Sequence, residues 1–145
     1  MASFSDLARD KTRSDAGGPA GKRALIIEDE AMISVHLQDL LESLGFTSFD
    51  FAITEAQAVA ACQANRPDII TADIRLAEGT GIGAVDAIRQ GGGDMPVVFV
   101  SGNVRDLAGR GDVTCEKPIS DRSFMNAVYE ALRRAAGAGQ GGALH

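Results

Sequence analysis

An α/β fold, a five-stranded parallel sheet with helices on both faces, is the class the sequence predicts. Three observations point to it. Short apolar runs alternate along the chain with segments whose apolar residues are spaced by three and four. Most of these runs are continuous, the pattern of strands buried on both faces. Nearly every run stops abruptly on a polar or charged residue. In open α/β sheets the C-terminal edge of the strands is where ligands bind.

The elements follow in order. Residues 1–22 are mixed and polar and end in Gly17-Gly18-Pro19-Ala20-Gly21, a flexible lead-in with at most a short helical turn around Phe4–Ala8. Ala24-Leu25-Ile26-Ile27 is the first strand and stops on Glu28-Asp29-Glu30. Ile33, Leu37, Leu40, Leu41 and Leu44 mark a helix that Gly45 ends. Residues 46–51 alternate apolar and polar and predict the second strand. Thr54 and Gln57 form a capping box for a helix that runs to about Asn65, before Pro67. Ile69, Ile70 and Ala72 predict a third strand, ending on Asp73. Ile82, Val85 and Ile88 mark the next helix, closed by Gly91-Gly92-Gly93. Val97-Val98-Phe99-Val100 is the fourth strand and ends on Ser101. Residues 104–111 leave room for two helical turns at most. Val113-Thr114-Cys115 is a short fifth strand leading to Glu116-Lys117-Pro118. Ser120 caps a last helix with Phe124, Val128 and Leu132 spaced by four. That helix is expected to end near 136, with residues 137–145 a flexible Gly-rich tail.

Composition narrows the function classes. A length of 145 residues favours one domain, and 45% hydrophobic residues suffice for a core. The net charge is −6, and no run of Lys and Arg stands out, which argues against direct nucleic-acid binding. No stretch approaches the ~20 apolar residues of a membrane span, and the N-terminus lacks the apolar core of a signal peptide, so a cytoplasmic protein is expected. Cys62 and Cys115 read as two reduced thiols. Two cysteines and the distant His36 and His145 are poor material for zinc. His36 reads as ordinary surface.

In a parallel sheet all strand ends share one edge. Reading them off gives Glu28 and Asp29, then Asp73, Ser101 and Lys117. Two carboxylates about 4 Å apart repel by about 4 kcal/mol at an effective dielectric near 20. Three would force one to take a proton or a cation to enter. All-oxygen ligands suit Mg²⁺, which commonly binds one or two carboxylates plus a phosphate. Phosphoryl transfer needs positioning and neutralisation of the equatorial oxygens, contacts that Lys117 and Ser101 can supply. Asp73, the acid of the middle strand, is then the candidate nucleophile, and an aspartyl phosphate the product.

This ordered set, Glu28-Asp29, Asp73, Ser101 and Lys117-Pro118, resembles the CheY-like receiver domain of two-component response regulators, over about residues 23–136. The resemblance implies a flavodoxin-like doubly wound sheet in the order 2-1-3-4-5. It also implies that Asp73 accepts phosphate from a histidine kinase or a histidine phosphotransfer protein. Asp29, Asp73 and the Arg75 backbone carbonyl would hold Mg²⁺ directly, and Glu28 through water. Ser101 and Lys117 would contact the phosphoryl oxygens, and Arg75 and Asn103 would flank the path of an attacking water. The Lys117-Pro118 bond is expected to be cis. The run from Ala72 to Gly79 resembles the receivers of alphaproteobacterial general stress response regulators. Phe99-Val100-Ser101-Gly102-Asn103 is similar to the Phe-Ala-Thr-Gly-Tyr run of their "FAT GUY" receivers, which also have a reduced fourth helix. A stand-alone receiver is expected, acting by protein contact or as a phosphate sink, through the fourth crossover, strand five and last helix.

One departure matters. Most receivers carry Tyr or Phe three residues before the lysine, and here that residue is Thr114. The signal then needs another route, for which ordering of residues 104–111 is the candidate. Three rival readings compete with the receiver. A haloacid-dehalogenase-type phosphatase needs a second acid two residues after its nucleophile, where Arg75 stands. An FMN carrier of the same sheet order needs a phosphate cradle where Glu28-Asp29-Glu30 would repel it. A phosphate-independent binding module is the alternative that the residues leave open. Gly79-x-Gly81-x-Gly83 mimics part of a dinucleotide fingerprint but lacks its spacing.

Overall fold

The first apolar run forms β1 (Arg23–Ile27), the inner strand around which the sheet grows. The computed structural model describes residues 21–144; the expected lead-in, its helical turn and His145 lie outside the described residues, apart from Gly21 and Lys22. After β1 come α1 (Ala31–Ser43), β2 (Ser48–Ala52), α2 (Glu55–Ala64), β3 (Ile69–Asp73) and α3 (Gly81–Gln90). Then follow β4 (Val97–Ser101), a 3₁₀ turn (Val104–Leu107), β5 (Val113–Glu116) and α4 (Asp121–Leu144). All strand pairs are parallel, in the order β2-β1-β3-β4-β5. This is the flavodoxin-like doubly wound sheet that the sequence predicts.

The pleat divides the core in two, because alternate strand residues point to opposite faces. Ala24, Ile26, Ile69, Val98, Val100, Val113 and Cys115 meet Leu37, Leu41, Phe124 and Val128 of α1 and α4. Leu25, Ile27, Ile70, Ala72, Val97 and Phe99 meet Ala58, Ala84, Val85 and Ile88 of α2 and α3. Each large side chain so buried contributes about 1.5–3 kcal/mol. Every residue of β3 and β4 is buried, so Asp73 and Ser101 stand where two fully covered strands run out.

Two boundaries differ from expectation, and the crossover after β4 matches it. Strand β2 starts at Ser48 rather than 46. Gly45 (φ +106°) donates to Glu42 O and Phe46 N to Leu41 O, so Phe46 closes a Schellman motif and buries its ring in the core. The fourth crossover holds only the 3₁₀ turn, as the room in residues 104–111 predicts. Leu107 covers part of the sheet face there, and the Arg110 guanidinium lies 5.5 Å from the centre of the Phe99 ring. The last helix runs on to Leu144 instead of ending near 136. Its early turns are anchored by Phe124, Val128 and Ala131 in the core, and no proline interrupts propagation once a helix is nucleated.

The expected caps are present. Thr54 Oγ1 accepts from Gln57 N, while Gln57 Oε1 reaches back to Ile53 N, one residue earlier than the usual reciprocal bond. Ser120 Oγ accepts from Ser123 N. Cys62 and Cys115 are free thiols, and exposed His36 meets Asp121 at 3.3 Å.

Candidate functional site

The sheet edge assembles the site because the parallel strands all end there. Carboxylate oxygens of Glu28, Asp29 and Asp73 lie within 4.8 Å of one another. Glu28 is buried, at 2% exposure, while Asp29 is exposed. A cavity of about 470 Å³ opens over them, lined by Asp29, Glu30, Asp73, Arg75, Ser101, Asn103, Asp106 and Lys117, among others.

Lys117 Nζ donates to Asp73 Oδ2 at 3.1 Å. Its own backbone is held in place by Lys117 N donating to Ser101 O at 2.8 Å, next to a cis Lys117–Pro118 peptide. Burial pulls the Lys117 ammonium down. The hydrogen bond to Asp73 and the charges of Asp73, Glu28 and Glu30 together outweigh it, and the net direction is up. The Ser101 hydroxyl faces the same cavity and accepts from Asn103 N at 2.9 Å.

Glu28 carries the electrostatic tension of the cluster. Its Oε2 accepts from Glu30 N at 3.0 Å, whereas buried Oε1 has no partner among the described residues. Burial pushes its carboxyl up to about 7, and the charge of Asp73 pushes the same way; the Glu30 amide and Lys117 oppose. A buried carboxylate oxygen without a donor, beside two further carboxylates, is what a hard cation would satisfy. The donor set is all oxygen, so the residues fit a magnesium-type ion. Glu28, Asp29 and Asp73 are the carboxylates that would hold it, and the resemblance adds the Arg75 carbonyl.

The structure brings Glu28, Asp29, Asp73, Arg75, Ser101, Asn103 and Lys117 to this one edge. Arg75 is exposed and lines the cavity. Thr114 is exposed on β5 and pairs with Phe99 in register, so no aromatic ring stands at that point of the strand. Two lining residues were not foreseen. Glu30 only looked like part of an acidic run. Asp106 lies on the 3₁₀ turn, and its approach to the mouth depends on how that turn folds back over the sheet. The spacing of Asn103, which caps the turn by accepting from Arg105 N, was the only signal available.

Comparison with known proteins agrees with this geometry. Residues 24–111 match the family described as "Response regulator receiver domain". A curated relative, the phyllosphere-induced regulator PhyR of Methylorubrum extorquens, is 40% identical over 79 residues, which are 53% of this chain and 29% of the relative. The chain therefore spans less than a third of that protein. The receiver domain of Erythrobacter litoralis PhyR, solved in solution, is 35% identical with a TM-score of 0.70, covering 78% of this chain and 91% of that one. A mutant form of the anti-anti-sigma factor PhyR from Bartonella quintana is 28% identical with a TM-score of 0.73, covering 94% of this chain and 58% of that one. Fold, matched region and the edge cluster agree: the chain belongs to the response regulator receiver domain family.

Proposed function

We propose that this receiver accepts a phosphoryl group on Asp73 from a histidine kinase or a histidine phosphotransfer protein, in a Mg²⁺-dependent reaction. The observation that carries the reading is the cluster of three carboxylates at the strand ends, with Asp73 paired to Lys117 at 3.1 Å. In the reaction an Asp73 carboxylate oxygen bonds to phosphorus as the phosphorus–nitrogen bond of the donor phosphohistidine breaks. The imidazole leaves with the electron pair of that bond, and the product is an acyl phosphate.

Each neighbour has a task in this reading. Buried β3 holds Asp73 at the edge. Lys117 holds the acceptor carboxylate beforehand and turns to a phosphoryl oxygen afterwards, exchanging one anion for another at little cost in reorganisation. The Ser101 hydroxyl donates to a second phosphoryl oxygen while still accepting from Asn103 N. The ion, when bound, neutralises acid and phosphoryl charge together. The chemistry is self-modification rather than turnover of a released substrate.

The output follows from a shift between two surfaces, limited by how differently the phosphoryl group stabilises them. We place it in protein–protein contact or phosphate diversion, through the 3₁₀ turn, β5 and α4. The resemblance of the run from Ala72 to Gly79 to general stress response receivers supports a stress-response setting, and we place the protein in the cytoplasm. No helix among the described residues is long and apolar enough to cross a membrane. Thr114 in place of an aromatic residue favours a second reading, a phosphate-independent binding module.

Intact mass separates the two. Wild type and Asp73→Asn are incubated with Mg²⁺ and acetyl phosphate, and in parallel with a phosphorylated histidine kinase. One added phosphoryl group in the wild type alone supports the acceptor. No gain with either donor supports the binding module.

A further inference from the structure

The three glycines of Gly79-x-Gly81-x-Gly83 do not serve a nucleotide, and their surroundings show what they do. A Cβ on Gly81 would collide with the backbone carbonyl of Asp73, so α3 starts in direct contact with the acceptor residue. Gly79 (φ +80°) and Gly83 surround the side chain of Glu55, at the first turn of α2. A Cβ on Gly79 would lie 2.5 Å from Glu55 Oε2, and one on Gly83 would overlap the same oxygen. The two glycines form a notch, and the Glu55 carboxylate fills it.

Glu55 Oε2 accepts from Thr80 N at 3.1 Å. Thr80 Oγ1 accepts from Gly83 N at 2.9 Å and caps α3, and Thr80 pairs with Arg75 in an antiparallel bridge. The line Glu55–Thr80–Arg75 is thus continuous. Backbone bonds run beside it: Glu55 N to Glu78 O at 3.0 Å and Ala77 N to Ile53 O at 3.1 Å. An acid in a first helical turn ordinarily interacts with its own helix dipole and faces water. This one instead ties a neighbouring loop.

We propose that Glu55 is a positioning residue for the site: seated in the Gly79–Gly83 notch, it fixes the β3–α3 loop and so the place of the Arg75 carbonyl beside Asp73. The inference rests on the metal-dependent reading of Asp73. Groups that orient ligands without touching the metal commonly set its affinity.

The test uses the full chain, with backbone amides followed by NMR during Mg²⁺ titration, and variants Glu55→Ala, Glu55→Gln and Gly83→Ala. In metal-free protein, Glu55→Ala is expected to speed hydrogen exchange at Thr80 and across residues 75–80. Its Mg²⁺ affinity is expected to fall about tenfold. Glu55→Gln keeps an acceptor oxygen for Thr80 and retains both properties. Gly83→Ala is the sharper probe. Alanine is the better helix former, so helix stability alone predicts an unchanged or higher Tm. Eviction of Glu55 predicts weaker Mg²⁺ binding at that same or higher Tm. Wild-type affinity in both Glu55→Ala and Gly83→Ala overturns the proposal and leaves the acceptor reading intact. Wild-type protein that shows no Mg²⁺-dependent shifts around Asp73 and Arg75 overturns both.

Discussion

Lys117 Nζ bonds Asp73 Oδ2 across the ends of β5 and β3, two strands that flank β4. The sheet order creates the pair, since the residues are 44 positions apart. Among the described residues the ammonium is the one cation paired within the cluster of three carboxylates, so it should matter most when no metal is bound. Lys117→Ala is expected to cost about 1–3 kcal/mol in metal-free protein, for a pair that is mostly buried but open to the cavity. Mg²⁺ should recover part of that loss. Urea unfolding in EDTA and in Mg²⁺ measures both, and an equal loss in the two conditions contradicts the assignment.

Glu28 makes metal-free stability depend on pH. Burial and Asp73 raise its carboxyl from 4.5 to about 7 in the folded protein. The folded state therefore binds the proton more tightly than the unfolded chain. Stability from this group is greatest below pH 4.5, declines as pH rises through the interval, and is lost above about 7. The difference is on the order of 2 kcal/mol once screening at the open cavity is allowed for. Thermal unfolding in EDTA should show a higher Tm at pH 6 than at pH 8, from this group. Glu28→Gln should flatten that slope. Mg²⁺ competes with the proton, so its affinity should weaken as pH falls through 7. A slope identical in wild type and Glu28→Gln would reject Glu28 as the source.

Thr71 offers a cleaner stability test. It is fully buried in the middle of β3, and its hydroxyl has no partner among the described residues. An unsatisfied buried hydroxyl costs about 1–3 kcal/mol, and valine has nearly the same shape. Thr71→Val is expected to raise the stability measured in urea by about 1 kcal/mol with an unchanged m-value. A lower midpoint would mean that the hydroxyl is satisfied.

These tests also mark where the sequence was readable. Runs such as Val97–Val100 carry strand identity in their own composition, and a parallel sheet sends all their ends to one edge. Glu28, Asp29, Asp73, Ser101 and Lys117 could therefore be named before any geometry was known. The role of Glu55 could not. A glutamate at a helix start looks like dipole compensation, and only the fold, which brings Gly79 and Gly83 against it, shows that its carboxylate sits in a notch. Phe46 defeats the pattern for a related reason: its nearness to the alternating Phe49 and Phe51 hides a helix-closing contact. Asp106 and Arg110 lie in a segment with no period at all, where tertiary contacts decide the path.

Arg110 gives the final prediction. It sits between Gly109 (φ +81°) and Gly111 (φ +77°) and reaches Asp86 at 2.8 Å and Asp112 at 3.1 Å. Arg89 holds the other oxygen of Asp112 at 2.8 Å. The Asp86 hydrogen bond, more than any other contact, raises the Arg110 pKa further. With its guanidinium over Phe99, Arg110 closes the sheet face that a fourth helix would otherwise cover. The path from the site to this latch is short: Ser101 Oγ accepts from Asn103 N, and Asn103 Oδ1 accepts from Arg105 N in the 3₁₀ turn. With Thr114 on β5, this segment is the available route for a signal. Arg110→Ala is expected to destabilise the fold by about 1–2 kcal/mol, through lost packing as well as lost charge. Hydrogen exchange should quicken at residues 102–112. In wild type, the phosphate analogue beryllofluoride with Mg²⁺ should slow exchange in the same segment. Arg110→Ala should diminish that response while Asp73 still takes up the analogue. Equal exchange at 102–112 with and without the analogue would sink the route and move the search to α4.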